Sequence, residues 1–360
     1  MQKILKRFKD KKVIVTGHTG FKGSWLSLWL HMNGAKVMGI SSEIPTKPSN
    51  FRAISLNRKI ISKKEDIRNL KSLRKLFIKF KPDYVFHLAA QALVQTSYTQ
   101  PVKTYETNAL GTLNILESLR SINNKCVAVI ITSDKSYKNL EIQRGYKEND
   151  LLGGIDPYSS SKASAELIIQ TYIKSYFKIK KNITIGIARA GNVIGGGDWS
   201  LNRLIPDCVK SWSINKKVLI RSPNSTRPWQ HVLEALSGYL ILSNELSLNK
   251  KLHGEVFNFG PNNRKNFSVI QVIKEMKKNW KKISWKIVKN NKLHHESKLL
   301  KLNSDKARKV LNWRSVLTFD ETIKLVASWY KQYYENKSNI KYNSIKQIKF
   351  YEKIFEMRIK

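Results

Sequence analysis

At 360 residues the chain is too long for a minimal binding module, and its length alone suggests about two domains. Hydrophobic residues at 41% and charged residues at 26% are ordinary for a folded globular protein and exclude wholesale disorder. Lys+Arg 66 against Asp+Glu 26 gives a net charge of +40, but the basic residues run evenly through both halves, so no nucleic-acid partner is expected.

In chain order, Val13–Thr16 is an apolar β-branched strand ending at a glycine. Trp25, Leu28, Trp29 and Met32 then recur at helical spacing up to Gly34, a C-terminal cap residue. Ala35–Ile40 is the next strand. Further alternation predicts strands at Lys59–Ile61, Tyr84–Ala89, Val127–Thr132 and Ile183–Ala188. The intervening helices are predicted at Leu70–Phe80, Thr99–Ser121 and Pro157–Phe177. Strands separated by helices of this length make right-handed crossovers, so the fold class is α/β with a doubly wound parallel sheet. From Gly195 the rhythm breaks, and prolines 206, 223, 228 and 261 punctuate short mixed elements. The division expected is residues 1–190 for the first domain and 191–335 for a smaller substrate-binding lobe, with return segments to the sheet allowed. Residues 336–360 are expected to be a basic C-terminal tail, either a peripheral helix or a loose end.

Cys126 and Cys208 are too few for a disulfide framework, and the seven histidines lack ligand spacing, so no metal is expected. No apolar run approaches the ~18 residues that cross a bilayer, and the N-terminus lacks a signal-peptide core. A cytoplasmic protein without membrane partners is the expectation.

Gly17, Gly20 and Gly23 follow the first strand and open the first helix. Such a loop turns tightly, lets backbone approach a pyrophosphate and offers it a helix N-terminus. The second strand ends at Gly39–Glu43 with no acid at the usual ribose position and no arginine for a 2′-phosphate, which favours NAD over NADP. Asp66 follows the third strand, where it could meet an adenine amino group or simply cap a helix. Tyr158 and Lys162 stand four apart on one helical face. A lysine there can lower the phenol pKa, so that the tyrosine takes a hydroxyl proton while hydride leaves the carbon. Thr132–Lys135 lies at the carboxyl end of the preceding strand, where open α/β sheets bind ligands.

These residues, with His87–Gln91, Asn108–Asn114 and Pro157–Lys162, resemble the extended short-chain dehydrogenase/reductase family over about residues 10–330. The similarity is to its sugar-nucleotide branch, the NAD-dependent dehydratases and epimerases. Gly17–Leu26, Thr132–Lys135, Gly195–Trp199 and Arg227–Glu234 are most similar to its cytidine-nucleotide 4,6-dehydratases.

The resemblance implies a Rossmann domain, NAD as cofactor, CDP-glucose as substrate and a lyase reaction serving deoxysugar and O-antigen lipopolysaccharide biosynthesis. Tyr158 would be the base at the C4 hydroxyl, with Ser133 or Thr132 bonding the C4 oxygen and Lys162 holding the nicotinamide ribose. Asp134 would be the acid at C6. Lys135 replaces the glutamate that serves relatives as C5 base, so that base stays open between Lys135 and another group. The cofactor set implied is Gly17, Thr19, Gly20, Phe21, Lys22, Gly23, Asp66, Ile67, Leu88, Ala89, Ala90, Tyr158 and Lys162. For the substrate it is His18, Gln91, Asn192, Arg203, Arg227 and Glu296, the arginines facing a diphosphate. A homodimer or homotetramer is implied. Other sugar nucleotides (GDP-mannose, dTDP-glucose, a UDP-sugar) and epimerisation are the competing enzyme readings, and a basic nucleic-acid-binding protein is the remote one.

Overall fold

Val13, Ile14 and Val15 make strand β1 (Lys12–Thr16) apolar on both faces, and all three are fully buried. Val13 and Val15 enter one core while Ile14 enters another, so the sheet is covered on both sides. The computed structural model describes residues 1–220, 222–261, 267–281, 283–288, 300–336 and 339–359. The other sheet strands are β2 (Lys36–Ser41), β3 (Ile61–Lys64), β4 (Tyr84–His87), β5 (Cys126–Ile131), β6 (Ile183–Ala190) and β7 (Val256–Phe259). Their order is β7-β6-β5-β4-β1-β2-β3, and every pairing is parallel. The chain leaves β1 for β2 and β3 on one side, then crosses to β4 on the other. The resulting switch point between β1 and β4 opens a crevice at the strands' carboxyl ends.

Helices α1 (Phe21–Met32) and, later in the chain, Val232–Leu248 cover the face that receives Val13 and Val15. Helices α2 (Leu70–Phe80), α3 (Gly111–Arg120) and α4 (Pro157–Tyr172) cover the other. Two sequence boundaries move. The third strand starts at Ile61, not Lys59, and is an exposed edge that lysines keep soluble. The helix expected over Thr99–Ser121 is broken into Val94–Thr99, Pro101–Tyr105, a five-residue π-turn at Glu106–Leu110, and α3. Pro101 explains the first break, because it has no N–H to continue a helix and fits the first position of the next.

The second half adds α5 (Leu204–Ser213), α6 (Val232–Leu248), α7 (Phe319–Glu335) and α8 (Ile340–Ile359), and it also supplies β7 to the main sheet. The basic C-terminal segment is a docked helix, not a loose tail. Ile340, Ile348, Tyr351 and Phe355 are buried, and Glu352 accepts from Trp29 Nε1 at 2.7 Å. The described helices include none long and apolar enough to cross a membrane.

Candidate functional site

The glycine loop joins β1 to α1 at the switch point. Gly17 has φ +76°, and a Cβ there would lie 2.8 Å from the backbone nitrogen of Ala89 after β4. At Gly23 a Cβ would collide with the Gly17 carbonyl, so the helix packs directly on the loop. Gly20 is the N-cap and makes no side-chain cap, which leaves the leading N–H groups of α1 for an anion. Thr16 Oγ1 accepts from Leu88 N and Ala89 N, both at 3.1 Å, and thereby fixes the facing rim that Leu88, Ala89 and Ala90 form. A close backbone cradle and an uncapped helix fit a dinucleotide pyrophosphate.

Several expected contacts do not appear where the sequence placed them. His18, expected toward the sugar, is bonded to the neighbouring strands. Its Nδ1 bonds Ser41 Oγ at 2.8 Å and its Nε2 bonds Ser62 Oγ at 2.7 Å, so the ring is wedged under β2 and β3, edge-on to Phe51. Burial lowers its pKa to about 4, leaving it neutral. Thr19 Oγ1 likewise donates to the Glu43 carbonyl. Asp66 is part-exposed and is not the cap of α2. Arg68 grips both its oxygens at 2.8–3.2 Å and holds its carboxyl below the usual range, while Asn69 is the cap. Ile67 is buried against Gly111. Gln91 is also spent within its own loop: Nε2 donates to Leu93 O and Thr104 Oγ1, and Oε1 accepts from Leu93 N.

The reactive groups converge at the ends of β5 and α4. Asp156 caps α4 through Ser159 N at 3.0 Å, Pro157 takes the first position, and Tyr158 and Lys162 follow on one buried face. Ser133 Oγ donates to Asp134 Oδ1 at 3.0 Å and accepts from Lys135 N at 3.2 Å, with buried Tyr158 close enough to feel it. Thr132 points elsewhere, donating to Glu166 Oε1 at 2.7 Å. Of the two hydroxyls, Ser133 is the one that meets Asp134. Glu166 is fully buried one turn beyond Lys162 and is paired with buried Arg189, whose guanidinium lies 4.5 Å from the Tyr137 ring centroid.

Burial governs the electrostatics. It raises the Asp134 carboxyl pKa against the opposing pull of Lys135, Ser133 and Lys22, which favours the protonated acid. The same burial lowers Lys162 to about 8, opposed by Glu166. It also raises Tyr158, which the Ser133 hydrogen bond and Arg203 offset only in part. The phenol thus lies above its ordinary value, opposite to the direction expected from Lys162. Lys22 is the main surprise within the glycine loop. Burial and Arg203 lower it to about 8, and Asp134, Lys162 and Asp198 act on it too.

Arg203, at the start of α5, pairs with buried Asp198 at 3.0 Å and acts on both Tyr158 and Lys22. Arg227 donates to the Thr226 carbonyl at 2.8 Å, and Asn192 is exposed. Glu296 lies outside the described residues. Sequence reasoning missed Glu166 and Asn108, which ties the β4 loop to α4 through Gln91 O and Ser161 Oγ at 3.0 and 2.9 Å. The signal for Glu166 was present: a carboxylate at i+4 from Lys162 on an otherwise apolar helix face.

Residues 14–326 match the family described as GDP-mannose 4,6 dehydratase. The chain belongs to this family. It is 44% identical over 329 residues to the CDP-glucose 4,6-dehydratase of Salmonella typhimurium, covering 90% of this chain and 91% of that one. Human dTDP-D-glucose 4,6-dehydratase is 25% identical, covering 92% and 93%. Among solved structures, an epimerase from Methanothermobacter thermautotrophicus superposes with a TM-score of 0.81 at 24% identity, covering 94% and 97%. The UDP-glucuronic acid 4-epimerase of Bacillus cereus, solved with UDP-glucuronic acid and NAD, gives 0.75 at 26% identity, covering 89% and 99%.

Proposed function

We propose that the protein converts CDP-glucose to CDP-4-keto-6-deoxyglucose, a hydro-lyase reaction with no net redox change. The observation that carries this is a buried carboxyl, Asp134, bonded to Ser133 at the end of β5 and acting electrostatically on the buried Tyr158 phenol. The likeness to the Salmonella dehydratase supports the cytidine nucleotide. When bound at the glycine cradle, NAD accepts hydride from C4 and returns it at C6. Tyr158 takes the C4 hydroxyl proton, and Ser133 hydrogen-bonds the C4 oxygen as it becomes a carbonyl. Lys162, one turn along α4 from the phenol, would hold the nicotinamide ribose, and Arg203 would hold the diphosphate. The 4-keto group makes the C5 proton acidic, and Lys135 is our choice of base there. Asp134 delivers its proton to the C6 hydroxyl, which leaves as water. An epimerase would have no use for that proton donor.

In this reading residues 1–190 hold the cofactor and 191–335 hold most of the sugar nucleotide, although β7 returns to the first unit. The enzyme works in the cytoplasm as a homodimer or homotetramer. Exposed Tyr98, Val102, Leu110 and Leu167 supply an apolar face for a second copy. The deciding experiment offers CDP-, dTDP-, UDP- and GDP-sugars to the purified protein with NAD. CDP-glucose labelled with deuterium at C4 should yield a 4-keto product labelled at C6. Free NADH accumulating in step with product would refute the proposal.

A further inference from the structure

The Gly195–Trp199 stretch takes no part in the scheme above, although it runs between the reacting groups and the cofactor cradle. Just before it, a Cβ on Gly191 would be 3.2 Å from Asp134 Oδ2, and at its start a Cβ on Gly195 would be 3.0 Å from the Phe21 ring at the head of α1. Helix α7 then fixes the turn. The Trp329 ring occupies the space that a Cβ on Gly196 would need. Tyr330 is fully buried, and its hydroxyl donates to the Asp198 carbonyl at 2.5 Å and accepts from the Asp198 N–H at 3.0 Å. Trp199 Nε1 donates to the Tyr334 hydroxyl at 3.1 Å. One helix thus clamps the backbone of Asp198 on both sides and sets where its side chain points.

That side chain is buried and divided between two partners. Oδ1 accepts from Ser200 N at 3.0 Å, which closes the turn, and Oδ2 accepts from Arg203 Nη1 at 3.0 Å. Arg203 uses only this nitrogen. Nε and Nη2, along the other edge of the guanidinium plane, have no hydrogen-bond partner among the described residues, and the side chain is 37% exposed. That edge offers two parallel N–H groups, the geometry that grips two phosphate oxygens at once. An arginine held by nothing would sample many rotamers, and its ligand would have to order it at the moment of binding. We infer that Asp198 is a positioning residue for Arg203: it holds one nitrogen so that the opposite edge stands ready for the substrate's diphosphate, and α7 sets its own position through Tyr330.

This inference rests on Arg203 being the residue that holds the diphosphate of CDP-glucose, and its test separates the two ideas. The probe is CDP, titrated calorimetrically into the NAD-loaded protein. Asp198→Ala should weaken CDP binding about three- to tenfold, the cost of ordering one long side chain on binding. It also removes a negative charge, which by itself would tighten binding, and the same substitution made in Arg203→Met measures that effect alone. The weakening should vanish or reverse once Arg203 is gone. Equal weakening in both backgrounds would place Asp198 in the folding of the loop, and tighter binding only where Arg203 is present would make it a competitor for the guanidinium; either overturns the inference. CDP bound by Arg203→Met as by wild type would take the diphosphate from Arg203 and the inference with it. Tyr330→Phe, which changes no charge, should weaken CDP binding in the same Arg203-dependent way. Independently of any nucleotide, ¹⁵N-arginine NMR, with the Arg203 Nε–H signal assigned by Arg203→Met, should show a rigid group in wild type and a mobile one in Asp198→Ala. If wild type binds no CDP, the proposed substrate fails, and the NMR alone decides the role of Asp198. Equal mobility of Arg203 in both proteins would refute it.

Discussion

Glu234, at the start of α6, is 1% exposed yet bears an ionisable group, and its replacement by glutamine should flatten one part of the stability–pH curve. Oε1 accepts from Ser315 Oγ, Val316 N and Leu317 N at 2.6–3.0 Å, and Oε2 accepts from Tyr351 OH at 2.7 Å. Burial outweighs these donors and pushes the carboxyl from 4.5 up to about 7. In glutamine the oxygen keeps its three donors. The new N–H₂ donates to Tyr351, whose own proton can turn to Ser237 Oγ, 2.8 Å away. The Glu234 contribution follows from linkage: the folded state binds the proton more tightly, so its stability is complete below pH 4.5 and falls as pH rises toward about 7. Each pH unit in that window removes about 1.4 kcal/mol, about 3 kcal/mol in all. His18 runs the other way, its pKa lowered by burial to about 4, and so do His87 and His231, lowered to about 3. These act equally in both proteins and cancel in the difference. Urea denaturation of wild type and Glu234→Gln from pH 5 to 8 is the assay. The variant should gain relative stability steadily up to about pH 7 and then level off. Parallel curves would refute the reasoning.

Asp134→Asn should still form bound NADH with CDP-glucose yet lose on the order of 10²–10⁴ in turnover, the contribution of one positioned acid; normal dehydration would end its assignment. Ser133→Ala should slow oxidation by on the order of 10²–10³, as removal of one donor from a developing oxyanion does. Thr132→Val should instead lower stability by about 1–3 kcal/mol, because Glu166 loses a buried donor; a thermal melt beside a burst assay tells the two apart. Gly23→Ala should weaken NAD binding about 10- to 100-fold, from the 1–3 kcal/mol of forcing a methyl into a packed site. Titration by tryptophan fluorescence measures it, and wild-type affinity would mean that the loop is not the cradle.

The doubly wound sheet was legible because its signals are local: β-branched runs, helical spacing and glycines at their junctions. The Tyr158/Lys162 pair was legible for the same reason, since four residues on a capped helix put both on one face. Side-chain direction beyond a strand end was not. Thr132 and Ser133 both follow β5, and only the buried carboxylate of Glu166 takes the threonine away from the crevice. His18 was placed with the substrate residues from its position in the glycine loop, and its bonds to Ser41 and Ser62 on neighbouring strands could not be read from that position. The contacts of Asp66 with Arg68, two residues on, and of Gln91 with Thr104, thirteen residues away, were not legible either. The C-terminal segment stayed open between a peripheral helix and a loose end because the partners that dock it, Trp29 and Glu234, are distant in sequence.

The seventh strand has a consequence for synthesis. Every residue of β6 is buried, and its outer edge is paired by Val256–Phe259, residues that leave the ribosome long after β6 itself. Asn258 then staples earlier chain in place, donating to Tyr146 O at 2.9 Å and accepting from Tyr137 OH at 2.8 Å. Until that point a nascent chain presents an apolar strand with an open row of peptide groups, a template for pairing with its neighbours on a polysome. The first half therefore carries the cofactor cradle and the reactive tyrosine but cannot close its own sheet, and chains arrested before residue 256 should emerge as substrates for chaperones.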